Sequence, residues 1–142
     1  MRNIILEKIA TLFLRVMALS AIALLLRGHN QPGGGFIGGI ILSIGFILYG
    51  MVFGTSKIRN IMIFNSRIWM GIGLLLVITA ALVPVFVGQL PLTGLWFTVH
   101  LPLIGTFHLG TPLLFDTGIF IAVIGVILSI IITIMEVLQW NT

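Results

Sequence analysis

Cysteine is absent from this 142-residue chain, which excludes disulfides and thiolate metal sites together. Charge is nearly absent as well. Asp, Glu, Lys and Arg make up 7% of the residues while 59% are hydrophobic, and mean hydropathy is +1.28. Soluble domains carry about 25% charged residues, so this chain lacks the means to cover a water-facing surface. It reads as an all-α integral membrane protein, a single membrane domain over residues 1–142. The formal net charge of +4 would suggest nucleic acid in a soluble protein. Beside membrane helices, basic residues instead fix orientation and meet anionic headgroups, so no nucleic-acid partner is expected.

Chemistry-bearing clusters are missing too. No nucleophile–base pair or carboxylate dyad is visible, and no enzyme in the bond-breaking sense is expected. His100 and His108 stand eight residues apart with no third ligand, which argues against a metal site. No cofactor is expected.

What remains is four apolar spans, over about residues 9–26, 36–54, 68–87 and 117–137. The charged start before the first span has a signal peptide as its rival reading, but Ala18-Leu19-Ser20 runs directly into more apolar residues, without a clear cleavage site. Residues 55–67 form a short basic loop with Lys57, Arg59 and Arg67. Pro84 marks a kink or stop near the end of the third span. Residues 88–116 hold no Lys or Arg, and Pro91, Pro102 and Pro112 rule out one continuous helix. Leu90-Pro91-Leu92-Thr93-Gly94 nearly recurs as Leu101-Pro102-Leu103-Ile104-Gly105, suggesting two similar turns. With Trp96, Phe97, His100 and His108, this long Pro-rich segment suits a structured loop at the outer membrane interface or against partner subunits. Asp116 or Thr117 is expected to cap the fourth span.

The stretch Gly28-His29-Asn30-Gln31-Pro32-Gly33-Gly34-Gly35-Phe36 separates the first two spans. Its three consecutive glycines each cost about 0.5–1 kcal/mol in a helix relative to Ala. Pro32 fixes its own φ and turns Gln31 away from the helical region. The stretch should stop one helix, start another, and leave backbone bare for a close neighbour. Gly35, Gly39 and Ser43 recur every fourth position, as do Gly34 and Gly38, giving a small-residue face for helix packing. Phe36 is expected to act as a wedge beside that bare backbone, with His29 as the polar group at the mouth. No Gly-Lys-Ser/Thr follows, so nucleotide binding is not expected. Packing is favoured over direct ion contact.

Four spans put both termini on one side. Arg2, Lys8, Lys57, Arg59 and Arg67 share that side, against Arg27 alone on the other. The positive-inside bias therefore predicts cytoplasmic termini and outward-facing glycines. Arg15 is the only charge well inside a span, about 9 Å from the inner face at 1.5 Å per residue. Two accounts of it stay open: snorkelling to the headgroups, or pairing with Glu136, which lies at a depth an extended arginine reaches. Asp116 lies at the opposite face, out of range of Arg15.

The glycine nonapeptide, followed by Gly38-Gly39, resembles the signature of the B subunit of Mrp-type multisubunit sodium/proton antiporters. A second match is Phe115-Asp116-Thr117-Gly118, leading into the last apolar run with Gly125. Thr117 is a small departure, since a branched apolar residue is expected there in many relatives. A related domain ends the large A subunit of that family; size and the start at Met1 favour the separate B subunit. The resemblance implies a bacterial or archaeal plasma-membrane complex that exchanges Na+ for H+, with other antiporter subunits as partners. The main proton relay is expected elsewhere, leaving this chain to assembly or to lining the ion route. Gly28, His29, Pro32, Gly33, Gly34, Gly35, Phe36, Gly38 and Gly39 are then the packing signature, and Arg15, Asp116 and Glu136 the charges of functional interest. The competing reading is a stand-alone small membrane protein, either a homo-oligomeric channel or an assembly factor.

Overall fold

Inside a bilayer each backbone N–H and C=O must find its partner within the protein, so an apolar run of about 20 residues becomes a helix. The computed structural model, which describes residues 4–28, 34–101 and 105–140, has four such helices. They are α1 (Ile4–Gly28), α2 (Gly34–Phe53), α4 (Ser66–Phe86) and α5 (Thr111–Trp140). A short helix α3 (Thr55–Ile61) lies between α2 and α4. Strands β1 (Trp96–Leu101) and β2 (Gly105–Gly110) precede α5 as an antiparallel hairpin.

The long helices stand in a row. The pairs α1–α2 and α4–α5 are each joined in sequence and packed together, and α2 against α5 connects the two pairs. The buried core runs along one stripe of α5, through Phe120, Ile124, Leu128 and Ile132, with Ile58 and Met62 closing it at the α3 end. The spacing of four keeps these residues on one helix face. Most other large apolar side chains stay exposed, among them Ile5, Leu12 and Leu19 on α1 and Leu75 and Phe86 on α4. In water such a surface would be a liability; here lipid or neighbouring protein can meet it.

Small residues let α4 and α5 touch backbone to backbone. A methyl group added at Gly118 would stand 2.8 Å from Val77 Cγ2 and 2.9 Å from the Gly73 carbonyl oxygen. One added at Gly73 or Gly125 would land on the backbone nitrogen of Ala122 or Met70 respectively. Where apolar lipid removes the hydrophobic drive for association, this proximity supplies the van der Waals attraction.

The connections differ in detail from the sequence expectation. Residues 55–67 hold α3, entered through Gly54 at φ +87°, a conformation glycine adopts without a Cβ penalty. Pro84 sits in the last turn of α4, where the helix is ending anyway. Pro91 and Leu92 occupy a turn closed by Thr93 N–H donating to the Leu90 carbonyl at 3.2 Å, and Leu92 takes a positive φ of 65°. The second near-repeat is centred on residues 102–104, outside the described residues; its flanks Leu101 and Gly105 pair with each other across the hairpin. The last helix begins at Thr111, with Pro112 in its first turn, rather than at Asp116 or Thr117. Proline is tolerated there because the first N–H groups of a helix have no intrahelical acceptor. Asp116 is therefore no N-cap of its own helix, and Thr117 Oγ1 donates back to the Leu113 carbonyl at 2.8 Å.

Candidate functional site

The first turns of α2 are nearly bare backbone, with Gly34, Gly35, Gly38 and Gly39 all buried. A helix start leaves N–H groups without intrahelical acceptors and carries partial positive charge. In α2 the missing acceptor arrives from 81 residues away. The Gly35 N–H donates to Asp116 Oδ2 at 2.8 Å, and the Asp116 side is only 9% exposed. This joins the two segments on which the family resemblance rests. It also places the start of α2 and the start of α5 at the same end of the molecule.

Glycine is required at position 35 by contact as well as by capping. A methyl group there would land on the Asp116 carbonyl oxygen, with Oδ1 at 2.7 Å. One turn deeper, a methyl at Gly38 would meet the Ala21 carbonyl oxygen at 2.8 Å and the Phe120 ring at 3.2 Å. At Gly39 it would meet Val123 and the Phe120 carbonyl, at 3.0 and 3.1 Å. The glycine face is thus filled from both sides, by α1 and by α5. Ser43 continues it and is fully buried, its Oγ donating to the Gly39 carbonyl of its own helix at 2.7 Å. Lower still, Gly45 faces Met17 and Leu14 of α1.

Two expected roles change hands. Phe36 is half-exposed, and the aromatic ring against the bare backbone is Phe120. Glu136 pairs with Arg59 rather than Arg15: Arg59 Nη2 donates to Glu136 Oε1 at 2.6 Å, with the two side chains 50% and 42% exposed. Arg15 is exposed on α1, in a shallow groove of about 380 Å³ that also takes in Glu7, Thr11 and Phe53. The bridge from Arg59 to Glu136 ties α3 to the far end of α5, opposite Asp116.

Gly28 is the last residue of α1; His29, Pro32 and Gly33 lie outside the described residues. His100 and His108 fall on different strands, opposite Thr106 and Thr98 rather than each other. No group of three His, Cys, Asp or Glu capable of holding a metal is found among the described residues. Chemically, the arrangement holds helices in register through a buried carboxylate on a helix N-terminus. Sequence reasoning passed over Phe120, Arg59 and the Gly73–Gly118 contact, although Gly118 and Gly125 stand two helical turns apart in the sequence.

A family model described as a domain related to the MnhB subunit of Na+/H+ antiporter matches residues 5–129. A protein of Staphylococcus saprophyticus, provisionally named antiporter subunit mnhB2, is 35% identical over 132 residues, covering 93% of this chain and 94% of its own length. Its namesake in Staphylococcus aureus strain Newman is 34% identical over 131 residues, covering 92% and 93%. The chain belongs to this MnhB-related family.

Proposed function

We propose that the chain is an accessory membrane subunit of a multisubunit Na+/H+ antiporter, with the glycine face and Asp116 serving assembly. The observation that supports it is the buried lock of Asp116 on Gly35: α1 and α5 of this same chain close the glycine face, so the motif sets the subunit's own shape and serves assembly through it. Partner subunits in the plasma membrane would meet the exposed apolar sides of α1 and α4, and Na+ and H+ are the ions of the whole complex. Ion exchange needs titratable groups near mid-membrane, reachable from both sides. Residues 36–54 and 68–87 contain no Asp, Glu, Lys, Arg or His. Asp116 and Glu136 are twenty residues apart on one helix, about 30 Å at 1.5 Å per residue. A relay across that gap has to come from other polypeptides. The termini, α3 and the Arg59–Glu136 pair are assigned to the cytoplasm, the glycine signature and the hairpin to the outside, following the basic side of the chain.

The test is affinity purification of the tagged chain from native membranes, with mass analysis of what accompanies it. Copurification of the other antiporter subunits is expected. Recovery of this polypeptide alone or as a homo-oligomer would favour the stand-alone channel or assembly factor instead. Gly34→Leu should lower the amount of assembled complex; normal assembly with lost exchange would move the motif onto the ion route.

A further inference from the structure

At the end of the molecule away from Asp116, a groove of about 420 Å³ opens between α3, the bend after it, the start of α4 and α5. Arg59, Asn65 and Ser66 give it polar walls, and Ile63, Phe64 and Ile132 apolar ones. Ile63 and Phe64 are 83% and 50% exposed, in the bend that separates α3 from α4. Exposed Lys57 precedes Arg59 on α3, and exposed Arg67 follows the lining residue Ser66. Residues 54–68 contain no Asp or Glu. Glu136 engages Arg59 at the rim, while Lys57 and Arg67 form no ion pair among the described residues.

The two halves of this surface ask for different things. Uncompensated cations at a membrane boundary attract an anion. Exposed Ile63 and Phe64 beside them need an apolar cover that an inorganic anion does not provide. A zwitterionic lipid would cover the apolar walls and leave the excess positive charge unmet. We infer that this groove is a binding site for an anionic phospholipid, its phosphate held by Arg59 and by Arg67, which stands between the lining residues Ser66 and Ile68, and an acyl chain lying along Ile63, Phe64 and Ile132. The assignment is independent of the antiporter role.

The experiment is native mass spectrometry of the full-length chain released from bilayers of equimolar phosphatidylglycerol and phosphatidylcholine. Preferential retention of phosphatidylglycerol is expected. Arg67→Gln should lower that preference by about fivefold, the effect of one basic residue near an anionic surface, while Lys57→Gln, two residues from Arg59 and therefore on another face of α3, should lower it less. Glu136→Gln frees Arg59 and should raise the preference, a gain that misfolding would not produce. Phe64→Ser should weaken retention without altering charge, and millimolar inorganic phosphate should not displace the lipid. Equal retention of the two lipids by the native chain and by all these variants would overturn the proposal. Displacement by phosphate, with Phe64→Ser silent, would also overturn it and leave a simple anion site.

Discussion

Gly35→Ala is the sharpest probe of the lock between α2 and α5. The added methyl falls on the main-chain carbonyl oxygen of Asp116, 2.7 Å from Oδ1 and 2.9 Å from the carbonyl carbon. Two of these atoms are backbone in the second turn of α5, so no side-chain rotation clears the space. The helices must separate, and the 2.8 Å bond from Gly35 N–H to Oδ2 is lost with the contact. Overpacking of this kind costs about 1–3 kcal/mol, and a hydrogen bond to a charged group contributes about 1.5–3 kcal/mol. The better helix propensity of alanine returns at most about 1 kcal/mol. The net expectation is a loss of about 1.5–6 kcal/mol, the two costs together less the alanine gain. Thermal unfolding of the purified chain, followed by tryptophan fluorescence, reads this as a clearly lowered midpoint. Asp116→Asn, which keeps the shape and removes the charge, should fall between the native chain and Gly35→Ala. Adding Asp116→Ala to Gly35→Ala should rescue nothing, because the carbonyl oxygen stays where it was. A Gly35→Ala variant as stable as the native chain would refute the reasoning, since the two helices would then have slack at their supposed closest point.

Gly71 and Gly73 offer an internal control on one helix. A methyl at Gly71 meets nothing within 4 Å, whereas at Gly73 it lands on the backbone of α5, so Gly71→Ala should be neutral or stabilising and Gly73→Ala should lower the unfolding midpoint. A double-mutant cycle on Arg59→Gln and Glu136→Gln should give a coupling of about 0–1 kcal/mol, as for exposed pairs, while Arg15→Gln and Glu136→Gln should be additive; strong Arg15–Glu136 coupling would restore the pairing that the structure does not make. The absence of native cysteine permits single cysteines at positions 57 and 97. An impermeant thiol reagent added outside intact cells should label position 97 and spare position 57, and the reverse would invert the orientation. Purified chain in liposomes under a sodium gradient should leave internal pH at the protein-free baseline; a sodium-driven pH change abolished by Asp116→Asn would end the accessory reading.

The helical spans and the small-residue face of α2 were legible because both are local patterns, an apolar run and a spacing of four. The partner of that face was less so. Pro112 reads as a helix breaker, which moved the expected start of α5 to Asp116 and made that carboxylate a cap for its own helix. Its actual acceptor role depends on a neighbour 81 residues away, which no local pattern encodes. Adjacency in sequence points to Phe36 as the wedge, yet Phe120 reaches the same backbone from another helix. The β-hairpin did leave a signal: apolar Phe97, Val99 and Leu101 alternate with Thr98 and His100, a period of two that the prolines around it obscured. Arg59 stood in a loop beside equally basic Lys57 and Arg67, and only the placement of α3 against α5 selects it for Glu136.

The 81-residue interval between Gly35 and Asp116 also has a meaning in time. At about 5–20 residues per second, a ribosome needs about 4–16 s to supply Asp116 after Gly35 has left it. For the later part of that interval, once Phe53 has followed, α1 and α2 can pair as a helical hairpin with glycine backbone on the side that α5 will occupy. The Gly35 N–H must then be hydrated at the membrane boundary, because its protein acceptor does not yet exist. Arrival of α5 replaces that water with a carboxylate and seals the groove on the glycine face in the same event. Biogenesis therefore ends with a dehydration step at one end of the molecule, and a chain cut before residue 111 would keep its first helical hairpin permanently wet there.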